Sequence, residues 1–237
     1  MIIVVSSWAI LFSHPADYTP VCTTELARLT ELQSQFKKRN VKLIALSCDT
    51  VDSHKGWSKD IESITKSEEC HIEFPIISDH SRDLAIKLKM LDPVEKDAAG
   101  MPLTCRAADG RAVEVNLFLK KDEKKNAYSI YNILYNEKYY ECSWPVQVFV
   151  IGPDKTLKLS ILYPATTGRN FDEILRAVDS LQLTTCKKVA TPVNWKPGDE
   201  VIVVPSVKDE ELPALFPQGV KQHTLPSGKN YLRYTKC

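Results

Sequence analysis

Cys22 stands where a loop punctuated by Pro15 and Pro20 gives way to a run with helical spacing. Leu26, Leu29, Leu32 and Phe36 predict a helix over Thr23–Arg39, with Lys37, Lys38 and Arg39 in the last turn, where the macrodipole favours cations. A thiol at a helix N-terminus meets unpaired N–H groups that favour the thiolate, the reactive species. Position alone gives equal weight to a small buried hydrophobe. The other cysteines, at 48, 70, 105, 142, 186 and 237, form no C-x-x-C and no zinc-ligand spacing. Local metal binding and dithiol chemistry are therefore not expected. An odd, unclustered set of seven also argues against a secreted disulfide scaffold and fits reduced thiols in the cytoplasm.

The elements that must hold Cys22 in place alternate. Trp8–Phe12 reads as a short buried strand within the apolar start MIIVVSSWAILF, which is too short for a membrane span. Val41–Ser47 reads as a second strand, followed by a helix through Trp57 and Ile61, and FPIISD (74–79) as a further apolar segment. A helix carrying Leu84, Ala85, Leu88 and Leu91 on one face is expected next, then a surface loop, LDPVEKDAAGMP. VQVFVI and LKLSIL flank a Gly-Pro-Asp turn and predict a hairpin. Asn170 is the expected N-cap of a helix burying Phe171, Ile174, Leu175, Val178 and Leu181. Strands separated by helices imply an α/β fold with parallel pairing.

The chain's 237 residues suit one large domain with an appendage, and 31 basic against 30 acidic residues give no electrostatic case for a nucleic-acid partner. Two stretches differ from their surroundings. After about residue 184, prolines mix with short β-like pieces such as VIVV and YLRYT, which marks a small C-terminal unit, 184–237, beside a main domain over 1–183. Residues 107–146 hold seven aromatic residues and are biased to Asn, Tyr, Lys and Ile. Tyr128, Tyr131 and Tyr135 have helical spacing there, a stripe fit to dock on a partner.

The wording around the cysteine carries a resemblance. SHPADYTPVCTTEL (13–26) resembles the peroxidatic motif P-x-x-x-T-x-x-C of peroxiredoxins through Pro15, Thr19 and Cys22, and PVCTTE is similar to the one-cysteine, peroxiredoxin-6 type. The likeness continues through NVKLIALS, FPIISD, LDPVEKD, GMPLTCR, IGPDKTLKLSILYPATTGRNFDEILR and the tail, sparing the first few residues and 107–146. It implies a thioredoxin-like fold, a central mixed sheet flanked by helices, with a small C-terminal extension domain. It implies reduction of hydrogen peroxide and organic hydroperoxides by Cys22 through a sulfenic acid. By resemblance Thr19 hydrogen-bonds peroxide and thiolate, Pro15 shields the site, and Arg106 stabilises the developing charge. His14 and Arg169 resemble residues close to the family's site, with structural or surface ion-pairing roles as the alternatives. No Cys-Pro occurs, so neither Cys186 nor Cys237 has the context of a resolving cysteine. The resemblance implies no bound cofactor, glutathione as external reductant with help from a glutathione transferase, and a homodimer without a membrane span.

Three departures bear on function. Relatives with phospholipase A2 activity use a serine in G-x-S-x-G, a histidine and an aspartate. Ser7 and Asp154 match two of these positions, but Val5 and Ala9 replace the glycines and the histidine's segment is missing, so little or no such activity is expected. Family members begin about thirty residues earlier with a hairpin and strand, whose absence is expected to expose an apolar face or strand edge. The 40-residue block after Arg106 separates that arginine from the strand VQVFVI, and a catalytic group moved by ~1 Å can cost about 100-fold in rate. A weak isoform acting through association is the alternative reading.

Overall fold

Three of those expectations fail for local reasons that the computed structural model makes visible. It describes residues 2–3, 7–67, 69–88, 91–96, 100, 102–104, 116–122, 127–134, 147–164 and 166–237. Strand β1 is Ile2–Ile3 and β2 is Trp8–Ser13, so the apolar start is not one continuous strand. Helix α1 spans Pro20–Lys38, three residues longer at its start than the apolar spacing alone indicates. Pro20 lacks the N–H that a first helical residue cannot use, and its fixed φ suits the position. Strand β3 (Val41–Ser47), helix α2 (Val51–Ser63) and strand β4 (Ile76–Ser78) follow.

Helix α3 is only Asp83–Lys87, and Leu91, expected on its buried face, instead opens strand β5 (Leu91–Lys96). Pro93 biases Asp92 away from helical backbone, which stops continuation. β5 pairs antiparallel with β6 (Pro102–Thr104), so the expected loop LDPVEKDAAGMP begins as a strand. The tyrosine stripe is corrected as well. β7 (Asn116–Asp122) and β8 (Ala127–Leu134) form an antiparallel hairpin, which places Tyr128 and Tyr131 in a strand. The Tyr and Ile content of AYSIYNIL favours extended backbone over the helical period. Tyr135 lies outside the described residues. Ile2 and Ile3 pair with Leu119 and Phe118, giving the three-stranded order β1-β7-β8.

The predicted hairpin is present as β9 (Gln147–Ile151) and β10 (Leu157–Leu162). It completes a five-stranded mixed sheet of order β10-β9-β2-β3-β4, parallel among β2, β3 and β4 and antiparallel at β9 and β10. Alternate residues separate its faces. One face joins Ala9, Leu11, Ile44, Leu46, Phe149 and Ile151 to Ala85 and Leu88 at α3. Ile10, Phe12, Ala45, Val148 and Val150 have the opposite parity and are fully buried. Burial on both faces explains why β2 reads as an unbroken apolar run.

The chain divides into two compact units, Met1–Arg169 and Asn170–Cys237. The second opens with helix α4 (Phe171–Cys186), whose N-cap Asn170 accepts from the N–H groups of Asp172 and Glu173. Strands β11 (Val189–Ala190) and β12 (Val201–Val203) follow, then a 3-10 turn over Asp209–Glu211 and helix α5 (Leu212–Leu215). With β13 (Lys221–Gln222) and β14 (Arg233–Thr235) they complete an antiparallel sheet of order β11-β12-β14-β13. Trp195, Val201, Val203, Val207 and Phe216 supply this unit's own core.

Candidate active site

Because α1 starts at Pro20, Cys22 lies inside its first turn, and its side chain is buried at 1% exposure. Thr19 is the N-cap residue in extended backbone, and its carbonyl accepts from the N–H of Thr23 at 2.9 Å. Its hydroxyl donates to the Ala16 carbonyl at 2.9 Å, which closes the loop in front of the cysteine. Pro15 is buried in that loop.

Glu25 is the most informative residue that sequence reading missed. It is 3% exposed and one turn beyond Cys22, so the two share a helix face. Its carboxylate accepts from the Arg169 backbone N–H at 2.7 Å and from the Arg169 guanidinium. Arg169 also donates to the Ser13 carbonyl at 3.1 Å, and its guanidinium carbon lies 5.6 Å from the Phe12 ring centre. The alternative of a surface ion pair for Arg169 is corrected: the pair is buried and fastens the 167–169 segment to α1. A Cβ on Gly168 would sit 3.8 Å from Val21 Cγ1. A glutamate on the same stripe as Leu26 and Leu29 was the available signal, since a buried carboxylate needs a cation.

His14 belongs to a second buried network. Its Nε2 donates to Asp17 Oδ1 at 3.0 Å, while His54 Nδ1 and Ser53 Oγ each donate to Asp17 Oδ2 at 2.7 Å. The Asp17 N–H donates to Asp49 at 2.8 Å. The His14 ring centre is 5.0 Å from Trp57, whose Nε1 donates to Thr23 Oγ1 at 3.0 Å, next to the cysteine. Tyr18, in left-handed backbone at φ 54°, lies over α2 so closely that a Cβ on Gly56 would come within 2.3 Å of its hydroxyl. Glycine inside this helix is explained by that approach.

Burial pushes the His14 imidazole down, against the opposing pull of Asp17. Burial alone would raise Asp17, but hydrogen bonds from His14 and His54 outweigh it and hold the carboxyl far below the ordinary range. Both signs give the same direction for stability. A base whose folded value is depressed loses stability as pH falls below the unfolded value of about 6.5, and a depressed acid loses it below about 4. Urea midpoints are expected to fall between pH 7 and 5 and again below pH 4. A His14→Asn variant with a flat midpoint over the upper window would assign that phase to His14, and an unchanged slope would reject the assignment.

Ser7 is 6% exposed and Asp154 is exposed. The register Ala9↔Ile151 brings both toward one end of the β2–β9 pair. Asp154 accepts from the Thr156 N–H at 3.1 Å and pairs with Lys158, which lowers its carboxyl. No described histidine is paired with either residue. Arg106 lies outside the described residues, as do Cys105 and Cys142. Among the described residues no cluster of metal-ligating side chains occurs, and no helix is long and apolar enough to cross a membrane.

Comparison with known proteins agrees with this architecture. Residues 4–160 match the AhpC/TSA family, and residues 180–216 match the C-terminal domain of 1-Cys peroxiredoxin. Peroxiredoxin-6 of Gallus gallus is 54% identical over 230 residues, covering 97% of this chain and 85% of that protein, and the Homo sapiens protein gives the same figures. Among solved structures, a cysteine-to-serine mutant of the peroxiredoxin 6 of Arenicola marina superposes with TM-score 0.77 at 49% identity, over 98% of this chain and 87% of that one. A yeast mitochondrial 1-Cys peroxiredoxin, studied for thiol resolution via glutathione/thioredoxin systems, gives TM-score 0.70 at 38% identity, over 99% and 88%.

The family match and the peroxiredoxin relatives, with the mixed sheet flanked by helices, define a thiol peroxidase of thioredoxin-like fold. The chain belongs to the peroxiredoxin family, in its one-cysteine, peroxiredoxin-6 type. The reading of a weak isoform acting only by association is not favoured.

Proposed function

We propose that Cys22 is the peroxidatic residue. The observation that supports this most is its place in the first turn of α1, behind the Pro15–Thr19 loop and one turn from the Glu25–Arg169 pair. The thiolate attacks one peroxide oxygen, the O–O bond breaks, and Cys22 becomes sulfenic acid as water or alcohol leaves. Helix N–H groups favour the thiolate, and Pro15 limits water. The Thr19 proton is engaged with Ala16, so in this arrangement Thr19 accepts from the peroxide O–H. Arg106 is assigned by motif to the developing charge, and Arg169 to fixing the loop between α1 and Ser13.

An external thiol then reduces the sulfenic acid. Cys186 and Cys237 are exposed while Cys22 is buried, which fits the absence of an internal resolving step. Glutathione is the proposed reductant, delivered with the help of a glutathione transferase, in a cytoplasmic homodimer with no bound cofactor. The proposed boundary between peroxidase and C-terminal domains is 183/184. Single-turnover oxidation of Cys22, followed by trapping of a mixed disulfide with glutathione by mass spectrometry, tests the sequence of steps. Sulfenylation no faster than that of Cys186 would overturn it.

Among the described residues no histidine is paired with Ser7, and hydrolysis of phospholipid vesicles is expected at the uncatalysed rate. Fatty-acid release that disappears in Ser7→Ala would reverse this assignment.

A further inference from the structure

Asp49 lies just past the end of β3, where the chain turns toward α2. Its own N–H donates to Ser47 Oγ at 3.2 Å, its Oδ2 accepts from the Ser47 hydroxyl at 3.0 Å, and its carbonyl accepts from Ser78 Oγ. These bonds fix Asp49 on the ends of β3 and β4. A residue serving only this turn would need nothing more. Yet Oδ2 also accepts from the Asp17 N–H at 2.8 Å, a bond to a segment 32 residues away.

The Asp17 N–H and the Ala16 carbonyl are the two ends of one planar peptide unit. Thr19 Oγ1 donates to that carbonyl at 2.9 Å, so Thr19, the Ala16–Asp17 peptide and Asp49 form one directed chain of hydrogen bonds. A carboxylate on the N–H end strengthens the carbonyl as an acceptor, because bonds in series polarise one another. The turn between includes Tyr18 at φ 54°, a conformation that a non-glycine residue keeps only where its surroundings hold it. The Asp17 side chain does not compete for Asp49. Its carboxylate accepts from His14, His54 and Ser53 instead, which pins the same turn to α2.

We propose that Asp49 is a positioning residue for peroxide reduction: by holding the Ala16–Asp17 peptide it fixes the Thr19 hydroxyl as an acceptor toward the peroxide O–H. The oxygen that Cys22 attacks is oriented as a result. This rests on the reading of Cys22 as the peroxidatic thiol with Thr19 as its partner. Without the Asp49 carboxylate the peptide is free to rotate, and the Thr19 hydroxyl loses its fixed direction. The thiolate is not expected to become scarcer, since removing an anion does not disfavour another anion, and the N–H groups of α1 stay in place. The loss therefore falls on the peroxide and not on the nucleophile.

Two reactions of one thiol test this in the reduced full chain: oxidation of Cys22 by hydrogen peroxide and its alkylation by iodoacetamide, each followed at that residue by mass spectrometry. Asp49→Ala is expected to slow oxidation at least about tenfold while alkylation proceeds at least as fast as in the wild type. Asp49→Asn offers the Asp17 N–H an amide oxygen and is expected to recover most of that loss. Thr19→Val is expected to cost less in the Asp49→Ala background than alone, because the two residues act through one chain of bonds. Oxidation within twofold of the wild type in Asp49→Ala, a parallel fall in alkylation, no recovery in Asp49→Asn, or additive effects with Thr19→Val would each overturn the inference alone. Wild-type Cys22 oxidised no faster than Cys186 would instead overturn the peroxidatic assignment, and this inference with it.

Discussion

Replacing Cys22 with serine is expected to reduce peroxide consumption to the uncatalysed background, while Cys186→Ser and Cys237→Ser retain wild-type turnover. The reasoning separates position from composition. Cys22 is the described cysteine within the first turn of a long helix, where aligned N–H groups stabilise sulfur anion, and only the thiolate is a competent nucleophile. Serine preserves volume and burial but is a far weaker nucleophile without an adjacent base. Cys186 ends α4 and Cys237 ends the chain, both exposed. Stopped-flow peroxide consumption with each variant decides the matter. Full activity in Cys22→Ser would remove the residue from the mechanism, and loss of turnover in Cys186→Ser or Cys237→Ser would show an internal resolving thiol.

Glu25→Gln is expected to produce the largest loss of stability, about 3–5 kcal/mol, because it strands the buried Arg169 guanidinium. Arg169 Nε has no hydrogen-bond partner among the described residues, and the Glu25 carboxylate is the anion paired with this guanidinium. The amide retains shape, which isolates charge from packing. Adding Arg169→Met is expected to recover part of the loss, since a buried pair replaced by apolar groups is often neutral while a broken pair is not. Urea denaturation of the single and double variants measures this. A loss below about 1 kcal/mol in Glu25→Gln would mean that solvent reaches Arg169 and the pair is not structural.

The parts of this arrangement that local sequence could reveal were those set by short-range physics. The β2 and β3 runs, the hairpin of β9 and β10 and the Asn170 cap follow from apolar alternation and turn chemistry over a few residues. Apolar spacing alone overextends helix α3, because it carries no information about the backbone that Pro93 imposes. The tyrosines at 128 and 131 satisfied a helical period by composition, while pairing with Asn116–Asp122 settled the backbone as strand. The site itself was half legible. The Pro15, Thr19 and Cys22 spacing is local, but Glu25–Arg169 joins residues 144 apart and Asp17–His54 residues 37 apart. No window of sequence reports such partners. A charged residue on a buried stripe announces only that one exists.

The order β10-β9-β2-β3-β4 has a consequence for the route by which the chain reaches this structure. β2 pairs on one side with β3, about thirty residues away, and on the other with β9, where Ile10 meets Val150. During synthesis β2, β3 and β4 emerge early and can associate through α1 and α2, but the flank of β2 stays open until residue 151 is made. Closure of that long loop is the slow, non-local event expected to limit folding. The 40 residues at 107–146 lie inside it, yet loop entropy grows only logarithmically, so their direct cost is a few tenths of a kcal/mol. Their weight falls on time: at roughly 5–20 residues per second they lengthen by some seconds the interval in which an apolar central strand waits for its partner.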